Sequence, residues 1–212
     1  RMAGRLSARL PDVGLGKVDD PRRRQGRRWN LETILTMILL GMMAGCKSLA
    51  EVEELSNKLT TGIRRRLRLP RLADTTMRDV LVRISPFEIR NALRRVVQAA
   101  FRRKSLEPIE LPFHAISMDG KWCSIPNWDH HYSQQKTYDN GMQAHGMVRV
   151  VNSVLVTTTA KPVLDAMPIP AETNEMGIFP HAFEALVRGY GDHFEMVMYD
   201  AGAVSEENMD LV

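Results

Sequence analysis

Two stretches of the sequence each deliver one aspartate after an apolar run. The first stretch runs from Phe113 to Lys121 and contains Asp119; the second runs from Phe194 to Gly202 and contains Asp200. An apolar run followed by an acid and a small residue is typical of a buried strand that ends and presents a carboxylate at its carboxyl edge. Each aspartate taken alone also fits an ordinary boundary between a strand and a turn.

Two carboxylates at the ends of neighbouring strands could share divalent cations. Mg²⁺ prefers oxygen ligands and keeps several waters, so one or two carboxylates and substrate phosphates usually complete its shell. Two such ions about 3.5–4 Å apart would stabilise both oxygens of an in-line phosphoryl displacement. We therefore predict that Asp119 and Asp200 are catalytic and hold Mg²⁺ or Mn²⁺ in nuclease or strand-transfer chemistry.

Positive charge is concentrated in the first half of the chain. Residues 1–110 contain 24 Lys and Arg against 12 Asp and Glu, a net charge of +12, whereas residues 111–212 contain 5 against 13, a net charge of −8. A basic half suits a polyanion and an acidic half suits cations. The cysteines, Cys46 and Cys123, are too few for a disulfide framework or a zinc site.

The expected compartment is a reducing cytoplasm. The first residues lack the apolar core and cleavage site of a secretory signal. The longest apolar stretch, Leu31 to Cys46, is shorter than the roughly 20 residues that a membrane span needs and contains Glu32. We expect no contact with a membrane.

Arginine-rich segments are candidates for contacts with DNA phosphates. Residues 1–29 lack periodicity and predict a flexible basic arm, and a second cluster lies between Gly62 and Arg71. Arginines neutralise phosphates without reading base sequence, although a solvated linker or loop fits both segments too. The residues predicted to contact double-stranded DNA are Arg22, Arg23, Arg24, Arg27, Arg28, Arg64, Arg65, Arg66, Arg68 and Arg78.

Helical periodicity covers residues 30–107, which we predict to form a helical DNA-binding domain. A short helix carries Arg78 and Arg83 on its outer side, and its spacing predicts the second element of a helix-turn-helix. Pro108 and Pro112 break the helical pattern where the charge balance reverses. They predict the boundary to a second domain.

Residues 113–212 predict a β-β-β-α-β order, so the expected fold class is α+β. A long polar loop or loose hairpin is expected from Lys121 to Asn140. The predicted strands are 113–119, 146–159, 163–167 and 194–200, and the predicted helix is 177–189.

Three motifs of this half follow one another in a recognisable order: Asp119-Gly120-Lys121, Glu172-Thr173-Asn174-Glu175 and Tyr199-Asp200-Ala201. The first half adds Gly26-Arg27-Arg28-Trp29 and the segment from Ala73 to Arg78. Together they resemble the DDE transposases of bacterial insertion sequences, in the H-repeat-associated group. The resemblance covers nearly the whole chain, although each motif is short.

The resemblance implies a ribonuclease-H-like catalytic domain, incomplete in this chain. In that family a later helix supplies a third acid, and the sequence ends at Val212, so we expect the front part of a longer protein. Lys121 and Glu175 are expected to support the site, Glu175 by orienting a metal-bound water or a lysine. A favourable charge at a helix start explains Glu175 equally well.

The leading prediction is DNA transposition: binding of element ends, then metal-dependent cleavage and strand transfer, with a homo-oligomer expected in action. The alternative is a catalytically inactive DNA-binding remnant or regulator of transposition. A third possibility is a metal-dependent nuclease of the same fold without strand transfer. Metal-dependent nicking would separate the first two. Asp129-His130-His131 is predicted to be a surface segment without a metal.

Overall fold

The computed structural model describes residues 10–109, 111–126, 129–137, 139–200 and 205–210. The chain divides into two compact units, Arg1–Val96 and Val97–Val212. The first is helical and the second is built on a mixed sheet, which confirms the α+β fold class.

Two helices of the first unit begin at side chains that accept a backbone N–H of the first turn. The Asn30 side chain accepts the Thr33 N–H at 2.8 Å, and the Ser48 hydroxyl accepts the Glu51 N–H at 3.2 Å. The helices are α1 Leu31–Met43, α2 Leu49–Lys58, α3 Thr61–Leu67, α4 Asp74–Arg83 and α5 Pro86–Arg102, the last of which continues into the second unit.

Apolar side chains of α1, α2 and α4 form the core of the helical unit. Ile34, Met37 and Met77 are fully buried in it. Gly41 lets α1 and α2 approach closely, because a Cβ at this position would lie 2.5 Å from a methyl group of Val52. The periodic stripe of α1 is therefore the centre of this unit, as predicted.

The arm predicted at residues 1–29 differs from the structure over its described part. Leu15 and Val18 are buried in the helical core, and the Arg95 guanidinium donates to the Val13 and Gly14 carbonyl oxygens at 3.1 Å. Short 3₁₀ turns, too brief to leave a periodic signal, shape this segment. The part of this segment around Leu15 and Val18 is thus packed on the helices, whereas Arg23 to Arg28 are exposed, and residues 1–9 lie outside the described residues.

The end of α5 belongs to the sheet unit, so the division falls within this helix rather than at the prolines. The Phe101 ring stacks on His193 with centroids 4.3 Å apart, and the Gln98 side chain donates to the Gly189 carbonyl oxygen at 3.2 Å. These contacts hold the last turns of α5 in the second unit. The positions of Pro108 and Pro112 in the sequence could not predict these contacts.

The sheet has the order β2-β3-β1-β5, with β4 also paired to β3. Strand β1 is antiparallel to β3 and parallel to β5. The elements are β1 Ala115–Ser124, β2 Ser133–Thr137, β3 Gln143–Leu155, β4 Val163–Ile169, α6 Glu175–Tyr190, β5 Met196–Tyr199 and α7 Glu206–Met209.

Two predictions for the sheet unit were wrong in detail. Asp119 lies within β1 rather than at its end, because β3 is long enough to pair with β1 as far as Ser124. The segment predicted as a loop from Lys121 to Asn140 contains the exposed end of β1 and the extra strand β2. Polar side chains are compatible with the end of β1 because residues 121–124 are exposed to solvent.

Helix α6 packs on the sheet through an apolar face. Phe179 and Leu186 are buried, and the Tyr190 hydroxyl donates to the Leu164 carbonyl oxygen at 3.0 Å. This packing fixes the first turn of α6 beside β1. No helix among the described residues is long and apolar enough to cross a membrane.

Candidate functional site

An acidic cleft forms where β5 ends beside β1. In the parallel pairing Met118 lies opposite Tyr199, so Asp119 and Asp200 are the next residues of two strands that run about 4.8 Å apart. Both line one small cleft with Glu175. Strand β5 ends just before Asp200, whereas β1 continues beyond Asp119. The two predicted aspartates therefore meet at the carboxyl end of β5.

Glu175 is the third acid of the acidic cleft. It is the first residue of α6, whose N-cap Asn174 accepts the Gly177 N–H at 2.9 Å. Its carboxylate lies against Gly120, where a Cβ would overlap the carboxylate atoms. Glu175 therefore occupies a favourable helix-start position and reaches the strand of Asp119 as well. The close approach requires glycine at position 120.

Lys121 supplies a cation beside the cleft. Its ammonium pairs with Asp119 Oδ2, and both side chains are substantially exposed, 61% and 46% respectively. The hydrogen bond to Asp119 is the main cause that raises the pKa of Lys121, with a smaller electrostatic contribution from Glu175. Asp119 and Lys121 are two residues apart on one strand, so their side chains leave it on the same face.

The oxygen donors of the acidic cleft suit a divalent cation at its mouth. About 10 Å³ is free inside the cleft, roughly the space of one water molecule, so a hydrated cation would lie outside it, where Asp119 and Asp200 are exposed. Within the part of the chain that the structure describes, no group of three His, Cys, Asp or Glu side chains could hold a metal. Asp119 and Asp200 alone would then supply protein ligands, with water and substrate completing the shell.

A second cavity, the arginine pocket, lies in the helical unit. It has a volume of about 430 Å³. Arginines from two distant parts of the sequence meet here, one from the segment before α1 and three from α3 and its end. The lining residues are Arg28, Trp29, Asn30, Thr33, Thr61, Arg64, Arg65, Arg68, Leu69 and Pro70.

The cluster between Gly62 and Arg71 is a helix over most of its length. Thr60 caps α3 by accepting the Ile63 N–H at 3.4 Å, and Arg68 ends the helix in the left-handed conformation with φ of 53°. The sequence did not predict this helix, because its high arginine content is also typical of a solvated loop. Its first turn and its end set the positions of the pocket arginines.

The structure brings only some of the predicted DNA-binding arginines into the arginine pocket. Arg22 was predicted to contact DNA, but its side chain is buried and binds Asp20 with two hydrogen bonds of 2.8 and 2.9 Å. Arg27 donates to the Asp20 and Arg22 carbonyl oxygens, both at 2.9 Å. Arg23, Arg24, Arg66 and Arg78 are exposed outside the pocket.

Sequence reasoning missed the neutral residues of the arginine pocket. Trp29 is half-buried against the helical core, and the Arg28 guanidinium carbon lies 5.3 Å from the centroid of its ring. The adjacency of Arg28 and Trp29 in the chain was the available signal. Nothing in the spacing of Thr33 or Thr61 pointed to a shared cavity.

The comparison with known families concerns this helical unit. Residues 14–97 match the DDE_Tnp_1-associated family model. The match relates this segment to DDE transposases, and it contains every residue that lines the arginine pocket. A search of curated proteins found no match for the chain.

Proposed function

We propose that this chain is part of a DDE-type transposase, which binds double-stranded DNA with its helical unit and acts on phosphodiesters at the acidic cleft. The observation that carries the proposal is the parallel pairing of β1 and β5, which places Asp119 beside Asp200. The DDE_Tnp_1-associated segment gives independent support, because it lies in the other unit of the chain.

A ribonuclease-H-like catalytic domain is the fold that this proposal requires. Its support is the strand order β4-β3-β1-β5, in which the first pairs are antiparallel and the last is parallel. Helix α6 connects β4 to β5, so the second aspartate follows a helical crossover. Such a connection is what parallel pairing of β5 with β1 needs.

Asp119 and Asp200 would hold Mg²⁺ or Mn²⁺ in this site. A bound cation would stabilise the negative charge that develops on the phosphate oxygens. Lys121 pairs with Asp119 Oδ2 and balances part of its charge when no cation is bound. Glu175 lies against Gly120 and adds negative charge to the cleft, which strengthens its preference for a cation. Lys121 and Glu175 would therefore support the site without holding the metal.

The test is nicking of supercoiled DNA by the purified chain with Mn²⁺ or Mg²⁺. Asp119→Asn and Asp200→Asn should each lower the rate at least about 100-fold, because each removes a ligand charge at the reacting phosphate. The matched control is Asp192→Asn, which removes an exposed carboxylate outside the cleft in the same unit. Full activity in the Asp119→Asn variant would contradict the proposal.

A second candidate function is a DNA-binding remnant or regulator without catalysis. It is favoured by the absence of a third metal ligand among the described residues and by the pairing of Asp119 with Lys121. A wild-type chain that binds DNA but nicks none with either cation would support this candidate. Nicking without joining of the cut 3′ end would instead indicate a nuclease.

A further inference from the structure

We infer that the arginine pocket binds the phosphate backbone of duplex DNA, and that α4, the predicted recognition helix, is not the main contact. This inference rests on the proposed function in one respect, that the chain acts on DNA. It adds the location and the mode of binding. Five observations support it, and they concern charge, pre-organisation, backbone strain, a neighbouring cavity and the arginines of α4.

The charge of the arginine pocket has no counter-ion among the residues that the structure describes. No carboxylate among the described residues pairs with Arg28, Arg64, Arg65 or Arg68, and no acid is among the described residues that line the cavity. Four guanidinium groups around one cavity repel one another in the absence of an anion. Phosphates of a nucleic acid backbone would relieve this repulsion and release their own counter-ions.

Contacts within the protein restrain the side chain of Arg28 before an anion binds. Arg28 lies over the Trp29 ring, and the Trp29 carbonyl oxygen accepts a hydrogen bond from buried Arg22 at 2.8 Å. The pairing of Arg22 with Asp20 thus anchors the segment that carries Arg28. A guanidinium restrained in this way loses less side-chain entropy when it binds.

Arg68 stands at a backbone position that favours glycine. It has φ of 53° and ψ of 39° after the last turn of α3, and the Leu69 N–H closes the helix end on the Arg64 carbonyl oxygen at 2.9 Å. Glycine or asparagine is usual at such a helix end because a β-carbon is strained there. An arginine kept at this cost, with its side chain on the cavity, indicates a function for the guanidinium.

A smaller cavity adjoins the arginine pocket. It measures about 270 Å³, shares Arg28 and Trp29 with the arginine pocket, and is also lined by Arg71. The two cavities therefore flank the Arg28–Trp29 pair. A DNA strand crossing this pair would present phosphates to both sides. Contacts of this kind position DNA but carry no sequence information.

The outer arginines of α4 differ from those of the arginine pocket. Arg78 pairs with Asp74 at 3.4 Å and Arg83 pairs with Asp79 at 2.7 Å, each one helical turn apart. Both have an anion within their own helix. Their charges therefore add little net attraction for DNA compared with the uncompensated pocket.

The experiment compares two double variants that remove the same charge. Arg64→Ala with Arg68→Ala changes the arginine pocket, and Arg78→Ala with Arg83→Ala is the matched control on α4. Binding to a fluorescent duplex of arbitrary sequence is measured by anisotropy between about 50 and 200 mM salt. The pocket variant should bind at least about tenfold more weakly, and its log–log salt slope should fall by about 2. The control should change affinity less than about threefold.

The outcomes separate this inference from the proposed function. Absence of DNA binding by the wild-type chain would contradict both. Wild-type binding that the pocket variant retains, or that the α4 control loses equally, would contradict the pocket alone. Strong discrimination between duplexes that depends on the pocket would also contradict a backbone contact.

A single variant tests the strained arginine without the risk of unfolding. Arg68→Gly should raise the melting temperature by about 2–4 °C, because glycine relieves the left-handed strain. It should also weaken DNA binding severalfold. Unchanged DNA affinity in this more stable protein would show that Arg68 is not kept for the backbone contact.

Discussion

The acidic cleft and the arginine pocket concentrate opposite charges by different means. The cleft takes its carboxylates from β1, from the start of α6 and from the end of β5, and one of them, Asp119, pairs with Lys121. The pocket takes its guanidiniums from α3 and the segment before α1, and no described carboxylate pairs with them. A partly compensated small cleft suits a small cation, whereas an uncompensated cavity of about 430 Å³ suits an extended anion.

The two sites also differ in how closely their walls are packed. A Cβ at Gly120 in the cleft would overlap the Glu175 carboxylate, whereas a Cβ at Gly62, on the helix that carries the pocket arginines, would meet nothing within 4 Å. In the cleft, side chains of α6 and β1 therefore lie in close contact. In the pocket, the start of α3 is open, and the arginines of α3 face Arg28 across the cavity.

The largest effect on the acidic cleft is expected from Gly120→Ala. The added methyl group must push the Glu175 carboxylate away, and this end of a flexible side chain can move at little cost, so urea unfolding should change by less than about 1 kcal/mol. Cation binding at the cleft should weaken, because a negative charge leaves it. Unchanged cation binding would show that Glu175 does not lie against this strand.

Asp20→Asn should lower the free energy of unfolding by about 2 kcal/mol at pH 7, since it leaves buried Arg22 without a charged partner. The hydrogen bond from Arg22 is the main cause that lowers the pKa of Asp20 below 3.8. The stabilisation is thus present above pH 3.8 and disappears as the pH falls through the lower folded-state value. Unfolding measured at a series of pH values from 7 downward checks this, because the difference between wild type and variant should shrink as the pH falls below 3.8.

Gly62→Ala should raise the stability of the protein. Alanine in a helix loses less backbone entropy than glycine, and the site is open, so we expect a gain of about 0.5–1 kcal/mol. Thermal unfolding measures the gain, and DNA affinity should not change. A destabilising effect would indicate that the start of α3 is packed more tightly than the structure shows.

The smallest effect is expected from Lys121→Met. The ion pair with Asp119 is exposed, so its loss should leave the stability almost unchanged. Removal of the ammonium should tighten Mn²⁺ binding severalfold, because the competing cation is gone. Calorimetry measures the affinity. Weaker Mn²⁺ binding would show instead that Lys121 mainly orients Asp119.

The sequence predicted those parts of the fold that local patterns determine. The helical pattern within residues 30–107 and the apolar runs of β1 and β5 appear where periodicity and propensity place them. Strand β2 and the short helix α3 were missed, because polar strands on the outside of a sheet and arginine-rich helices look like loops. In both cases tertiary contacts outweigh composition.

The candidate site divides in the same way. That Asp119 and Asp200 lie on neighbouring strands could be predicted from their repeated context. The contact between Glu175 and Gly120, and the burial of Arg22, depend on how distant elements pack. The left-handed conformation of Arg68 could not be predicted from the sequence, because this position is not a glycine, the residue that usually indicates such a conformation.

The most direct test of the central claim is Mn²⁺ binding by calorimetry to the purified chain and to a double variant, Asp119→Asn with Asp200→Asn. The wild type should bind Mn²⁺ and the double variant should not, while both remain folded by circular dichroism. Equal binding by the two proteins, or no binding by a folded wild type, would contradict the claim that these aspartates form a cation site.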